Sequence, residues 1–286
     1  MAQFKAAKFS RIFRSLKPKV ILLAASIQSP WEITEEDNGW TRLVAQGGFG
    51  IALPLQMALA VEVARAAVDL EAAVVNACYP DCVNVVLDHL GLRTTCGLGN
   101  AAIVEAFCRS AAGAREKDVR VLAHHGQLGP WLQGKAPGKQ PRVWVRDHEV
   151  SAQELRPNYG AIGEELNDVT TSTAIPLLLS LLSGGTLRTS IPGVAKLPGG
   201  YPFLLRRGKF SLQLPSGITL EEAIEHNKRG ERLDGLDVGA GVKFVGKARK
   251  ALDAANFEYA QGFDLSEWLL ACKHMMSLRD RLRAIR

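Results

Sequence analysis

The sequence lacks the features that would mark the chain as disordered, fibrous or secreted. Low-complexity tracts and long runs of like charge are missing across its 286 residues, which excludes a disordered acidic or basic arm. The strongest apolar stretch, Ala174 to Leu182, is interrupted by Pro176 and falls far short of the roughly 20 residues that cross a bilayer. No membrane partner is therefore expected. Cysteine is scarce, and five residues, an odd number, do not close into a disulfide framework. Cys78 and Cys82 are followed by no second close pair, and their spacing differs from that of zinc-ribbon ligands, so no metal is expected. The N-terminal stretch MAQFKAAKFSRIFRSLKPK lacks the apolar core and small-residue cleavage site of a secretory signal. With reduced thiols, this points to a cytoplasmic location. The cations Lys5, Lys8, Arg11, Arg14, Lys17 and Lys19 read as a solvated helix face. An organelle-targeting helix or an anionic partner surface is the other option. A net charge of +6 without a basic stripe interleaved with aromatics gives no reason to expect a nucleic-acid partner.

What is present is an ordinary globular composition, 47% apolar and 22% charged, enough to build a core. KVILLAA (Lys19 to Ala25) reads as a buried parallel strand, being a short aliphatic and β-branched run after Pro18. Trp40 to Arg65 reads as a glycine-interrupted segment becoming a helix, with Leu55, Leu59, Val63 and Ala67 on one face. Glu71 to Asn76 is a second buried strand, followed by a loop at Tyr79-Pro80-Asp81. A short helix from Val83 to Leu90 follows, ended by Gly91 in a left-handed cap. A brief strand at Arg93 to Cys96 and a helix from Asn100 to Ala112 continue the alternation of a doubly wound α/β sheet.

The second half changes character. Val119 to Ala123 is a strand leading into His124-His125-Gly126. The Gly/Pro/Lys-rich QGKAPGKQP reads as a loop, Arg142 to Val145 as a strand, and Asp147-His148 as a turn. Thr170 to Leu182 is helical, kinked or divided at Pro176. SGGTLRTSIPGVAKLPGGYPF reads as loop and Lys209 to Leu214 as a strand. Thr219 to Arg229, N-capped by Thr219, and Leu265 to Arg283 read as helices. The expected fold class is α/β: a partial doubly wound, Rossmann-like parallel sheet over residues 1–118, then an α+β substrate or C-terminal domain over 119–286.

The order of these pieces resembles the malate/lactate dehydrogenase superfamily, which includes the NAD-dependent family-4 glycosidases. AASIQSPWEITEEDNGWTRLVAQ is similar to the family's mobile loop followed by an Arg-Leu pair opening a helix. The resemblance makes Arg42 the substrate-polarising arginine. Val74-Val75-Asn76 is similar to the strand ending in Asn-Pro, implying that Asn76 lies near the nicotinamide ribose. VRVLAHHGQ resembles the strand that carries the acid/base histidine, which falls on His125. The Thr-rich substrate helix matches Thr170, Thr171 and Thr173. NAAIVEAFCRS lacks the family's catalytic Asp and carboxylate-binding Arg, with Glu105 the nearest substitute. No Gly-rich strand–turn–helix precedes Lys19. The resemblance thus implies NAD or NADP, a small hydroxylated or amino-acid-like substrate, and a homo-oligomer or a partner subunit that supplies the missing Rossmann half.

The individual residues leave more than one reading open. Gly97-Leu98-Gly99-Asn100-Ala101-Ala102 fits G-x-G-x-x-A, which lets backbone N–H groups approach a pyrophosphate. A tight strand–helix junction has the same pattern. Imidazole titrates near neutrality, so His125 suits proton transfer, with Asp81 as an orienting carboxylate; otherwise both histidines cap a strand end. Asn76 and Asp81 either bind a ribose or amide, or cap the next helix. Arg42 clamps a carboxylate or is a surface arginine. Cys78 and Cys96 are nucleophiles, metal ligands or small core hydrophobes. Hydride transfer with a nicotinamide cofactor is the leading expectation. A truncated non-catalytic binding subunit, and a metal- and NAD-dependent hydrolase or lyase using His125 and Cys96, are the alternatives.

Overall fold

Short β-branched and aliphatic runs bounded by Pro or polar turns form the strands, and longer Ala- and Leu-rich segments form the helices. The computed structural model describes residues 6–115, 118–135, 139–158 and 163–286. Lys5 and the centre of the QGKAPGKQP loop lie outside the described residues. In chain order come α1 (Ala6–Leu16), β1 (Val20–Leu23), α2 (Glu32–Glu35), α3 (Gly39–Gly47), a helical turn at Phe49–Ala52, α4 (Leu53–Ala66), β2 (Ala73–Asn76) and α5 (Pro80–His89). Next are β3 (Cys96–Gly97), α6 (Asn100–Ala111), β4 (Val119–Leu122), α7 (His125–Leu132), β5 (Arg142–Val145), β6 (His148–Val150) and α8 (Leu166–Ser183). Then follow β7 (Thr186–Pro192), β8 (Gly200–Arg206), β9 (Lys209–Leu212) and α9 (Leu220–Leu233). The chain closes with β10 (Leu236–Val238), β11 (Gly241–Phe244), α10 (Gly246–Ala254), β12 (Gly262–Asp264) and α11 (Trp268–Arg283).

The fold is mixed α/β with a short parallel sheet. It divides into two compact units, residues 1–94 with 231–286, and residues 95–230. The boundary expected at 118 therefore falls inside the second unit, between α6 and β4. The C-terminal segment belongs to the first unit because its apolar side chains share that core: Leu236, Phe244, Trp268 and Met275 cluster with Trp40, Leu55 and Val75's neighbour Val74.

In the first unit β1 and β2 run parallel, in register from Val20 opposite Ala73 to Leu23 opposite Asn76. Leu22 is 44% exposed, so β1 is covered on one face only, contrary to the fully buried strand expected. Helix α4 shows the opposite difference. Leu55, Leu59 and Val63 are buried as expected, but so is every other residue of the helix except Glu62 and Arg65. Phe49–Ala66, with a mean hydropathy of 1.4, is long and apolar enough to cross a membrane, and 83% of it is buried inside the fold. It surpasses Ala174 to Leu182 as the longest apolar stretch. Each fully buried Leu, Val or Met in it contributes about 1.5–3 kcal/mol. An antiparallel sheet of β10, β11 and β12 completes this unit.

The second unit is built on antiparallel pairing. β4 pairs antiparallel with β5, and β5 with β6, so Val119 to Ala123 opens an antiparallel sheet. Arg146 and Asp147 both have positive φ, 51° and 68°, the geometry of a two-residue hairpin loop whose twist matches its strands. The turn thus comes one residue earlier than Asp147-His148. SGGTLRTSIPGVAKLPGGYPF is not a loop: β7 and β8 pair across it from Thr186 opposite Arg206 to Pro192 opposite Gly200. Its Gly and Pro residues gather at the strand ends and in the connection 193–199, and the pattern between them was masked by that composition.

Candidate functional site

In the first unit the candidate residues lie where β2 turns into α5. Tyr79 adopts the left-handed conformation, φ 50° and ψ 51°, and Pro80 starts the helix, where its missing N–H costs nothing. Asn76 is buried, and its amide is fully engaged. Its Oδ1 accepts from the Cys78 N–H at 2.8 Å, while Nδ2 donates to the Cys78 carbonyl at 3.2 Å and to Asn84 Oδ1 at 2.8 Å. Asn76 therefore folds its own loop and ties β2 to α5; the ribose role has no free group to use. Asp81 is completely buried at the start of α5, beside Cys82.

Behind this turn lies a group of buried acids. Tyr79 donates its phenol to Asp234 Oδ2 at 3.0 Å, and Glu231 accepts the Val238 N–H at 2.6 Å. Burial, then the charge of Glu231, raises the Cys82 pKa well above that of a free thiol, with Asp81 and Asp234 adding to it. Tyr79 is raised in the same way, by burial and then by Asp234. Burial alone pushes Cys78 and Cys96 up to about 12. Both side chains are buried and, held protonated, pack as small core hydrophobes.

Arg42 lies on the surface side of α3. Its guanidinium pairs with Asp37 at 2.7 Å and reaches the Ile285 carbonyl at 3.3 Å. It is a surface arginine that fastens the C-terminal residues.

In the second unit Gly97 ends β3 and Gly99 precedes α6 with φ 129° and ψ −124°. An L side chain rarely adopts that backbone, and a Cβ there would meet nothing within 4 Å. The glycine is thus required by conformation while the space beside it is open. The Gly99 carbonyl accepts the N–H groups of Ala102 and Ile103, which starts the helix. Gly200, at the head of β8, lies so close that a Cβ would come within 2.2 Å of the Ala101 side chain. It also exchanges main-chain hydrogen bonds with Ala123 at the end of β4. One residue thereby fixes the first turn of α6 beside the strand end that leads to His124 and His125.

The two histidines separate by role. His124 is fully buried and caps α7: its Nδ1 accepts the Gly126 N–H at 3.2 Å, and its own N–H donates to Gln127 Oε1 at 2.8 Å. His125 is the first residue of α7 and only half-buried. Gln127 Nε2 donates to the Gln140 carbonyl at 3.0 Å and faces His226 Nε2 at 3.2 Å. An amide nitrogen only donates, so His226 Nε2 accepts and its proton sits on Nδ1. Burial, followed by Arg142 and Arg229, lowers the His226 pKa to about 4, against a hydrogen bond with the Leu122 main chain.

The other expected residues are occupied structurally. Glu105 is buried and accepts the Ser190 N–H, which joins α6 to β7. Thr171 is exposed on α8, and Thr173 donates back to the Thr170 carbonyl of its own helix at 2.9 Å. The second unit thus brings the Gly97–Gly99 turn and His125 to the two sides of Gly200. Asn76 and Asp81 share one turn of the first.

Sequence reasoning missed the buried face of α9. Ala223, His226, Asn227, Gly230 and Glu231, with Asp234 just beyond the helix, are all buried at three- and four-residue spacing. Asn227 donates to the Gly200 carbonyl at 3.0 Å. The available signal was the small residues Ala223 and Gly230 on the same stripe as polar ones; a search for apolar periodicity passes over it. Neither a protein-family model nor a curated protein matches this chain.

Proposed function

We propose that the chain is an oxidoreductase-like protein that takes NAD or NADP together with a small hydroxylated or amino-acid-like substrate. The dinucleotide's phosphates would bind at the Gly97–Gly99 turn. The observation that supports this most is the backbone of Gly99, φ 129° before a twelve-residue helix, with open space where a side chain would stand. N–H groups at such a helix start favour a phosphate. The fit is good for the phosphates and poor for the ribose. β4, the strand after α6, ends in Leu122 and then His124, where a ribose-binding carboxylate belongs, and Asp118 at its other end pairs with Arg115 at 3.0 Å. When bound, the oxidised nicotinamide would accept the hydride that the hydroxyl- or amino-bearing carbon gives up, and its reduced form would return it in the reverse direction. In this reading His125, half-buried at the start of α7, holds or moves the substrate proton, while His124, Gln127 and His226 keep α7 in place.

Millimolar NAD(H) or NADP(H) is expected to raise the Tm of the full chain, since a ligand that binds only the folded state stabilises it. Gly99→Ala, whose backbone resists that φ, is expected to lose most of the shift. His125→Gln is expected to keep the shift and lose turnover of 2-hydroxy or 2-amino acids. No shift with any of the four nucleotides would sink the proposal. A second reading, a non-catalytic binding protein, is favoured by the structural employment of Arg42 and Asn76. Nucleotide binding without hydride exchange would select it.

A further inference from the structure

Beyond Asp168, helix α8 has no charged face. From Val169 to Leu187 the sequence carries no charged residue, yet the helix is half exposed. Leu166, Ala174 and Leu177 are its buried residues, and the opposite side presents Ile175 at 52%, Leu179 at 59% and Leu182 at 47% exposure. These three follow the i, i+4, i+7 spacing of one helix stripe. The stripe adjoins Thr171, Ser172, Pro176 and Ser183, all exposed and uncharged. A contiguous apolar stripe of this kind marks an interaction surface.

We propose that α8 is the two-fold interface of a homodimer, in which it lies antiparallel against the same helix of a second copy. Charge selects this occupant. The helix is bracketed by acid at its N-terminal end, where Glu164, Glu165 and Asp168 are exposed, and by base at its C-terminal end, where Arg188, Arg206 and Arg207 are exposed. The hairpin placing Arg206 and Arg207 there is fixed by the pairing of Thr186 with Arg206 and by the Arg207 N–H donating to the Gly185 carbonyl. An antiparallel pair about a two-fold axis at Leu179 sets stripe on stripe and each acidic end beside a basic end, a self-complementary arrangement. An anionic membrane would attract the basic end and repel the acidic one, so the stripe would not lie flat on it. A highly charged protein partner would lose hydration against the uncharged centre. An eighteen-residue helix is about 27 Å long. One helix stripe is a small contact beside the roughly 1,200–2,000 Å² of a stable specific interface, which fits a reversible dimer.

Sedimentation velocity on the full chain, from low micromolar to about a hundred times that concentration, is the direct test. The expected result is reversible conversion of the 31.0 kDa chain to twice that mass. Leu179→Lys, at an exposed position, is expected to weaken association at least a hundredfold with unchanged Tm and circular dichroism. Leu179→Cys is expected to form a symmetric intermolecular disulfide under mild oxidation. Asp168→Lys is expected to weaken the dimer, and adding Arg207→Glu in the same chain to restore part of it. A chain monomeric throughout, or a dimer indifferent to Leu179→Lys, overturns the proposal.

Discussion

At pH 7 the ring of His226 is neutral, because burial first, then Arg142 and Arg229, bring its pKa down to about 4. A free imidazole titrates at about 6.5. Between those values the unfolded chain binds the proton and the folded one does not. The contribution to stability is therefore fully present above the unfolded pKa and is lost as the pH falls towards the folded one. The loss amounts to about 3 kcal/mol, the charge of Glu149, which favours the proton, being already contained in the folded value. The urea midpoint should fall more between pH 7 and pH 4.5 for the wild type than for His226→Gln, and equal losses would refute this account. The identity of this residue as a core histidine was not legible. Its partners Gln127 and Leu122 are distant in sequence, and only the packing of α9 brings them to it. Asn76 was legible as the end of a strand, but its use was not. Whether an amide meets a ligand or its own loop depends on Asn84 and the Cys78 main chain.

Elements set by local chemistry were the ones the sequence revealed. Gly91 takes φ 72° after α5, as a left-handed cap requires. Thr219 caps α9 through a reciprocal pair: its Oγ1 accepts the Glu222 N–H at 3.1 Å and its N–H donates to the Glu222 carboxylate at 2.9 Å. Thr219→Ala should cost about 1 kcal/mol, read as a lowered urea midpoint with an unchanged slope. A neutral substitution would mean that packing of the polar face alone holds the helix start. β7 and β8 were hidden for the opposite reason. Their pairing is non-local, and the Gly193, Gly199 and Pro198 that join them carry a loop signature into the strand ends. α4 was seen as a helix, but its burial on nearly every side follows from what surrounds it and not from its own periodicity.

The molecule as a whole is organised by a core that unites sequence-distant segments. Leu236, Phe244, Trp268 and Met275 fill the same cluster as Trp40, Leu55 and Met57, so the first unit is complete only when both stretches are present. A local reading placed the boundary at 118 because no residue near 94 or 230 announces a domain change. Truncation after Gly230 should leave residues 6–94 without a cooperative unfolding transition while the second unit retains one. Two transitions in the truncated chain, measured by calorimetry, would contradict the division.

That discontinuity has a consequence for how the chain is made. The second unit is contiguous and leaves the ribosome whole, whereas the first must wait for residues 231–286. At about 5–20 residues per second, synthesis from residue 94 onward holds α4 without much of its surroundings for a time on the order of ten seconds. Phe49–Ala66, the stretch apolar enough to be taken for a membrane span, is what stays uncovered in that interval. The nascent chain's exposure to chaperones, and its risk of aggregating during expression, is thus concentrated in a segment synthesised early and enclosed last.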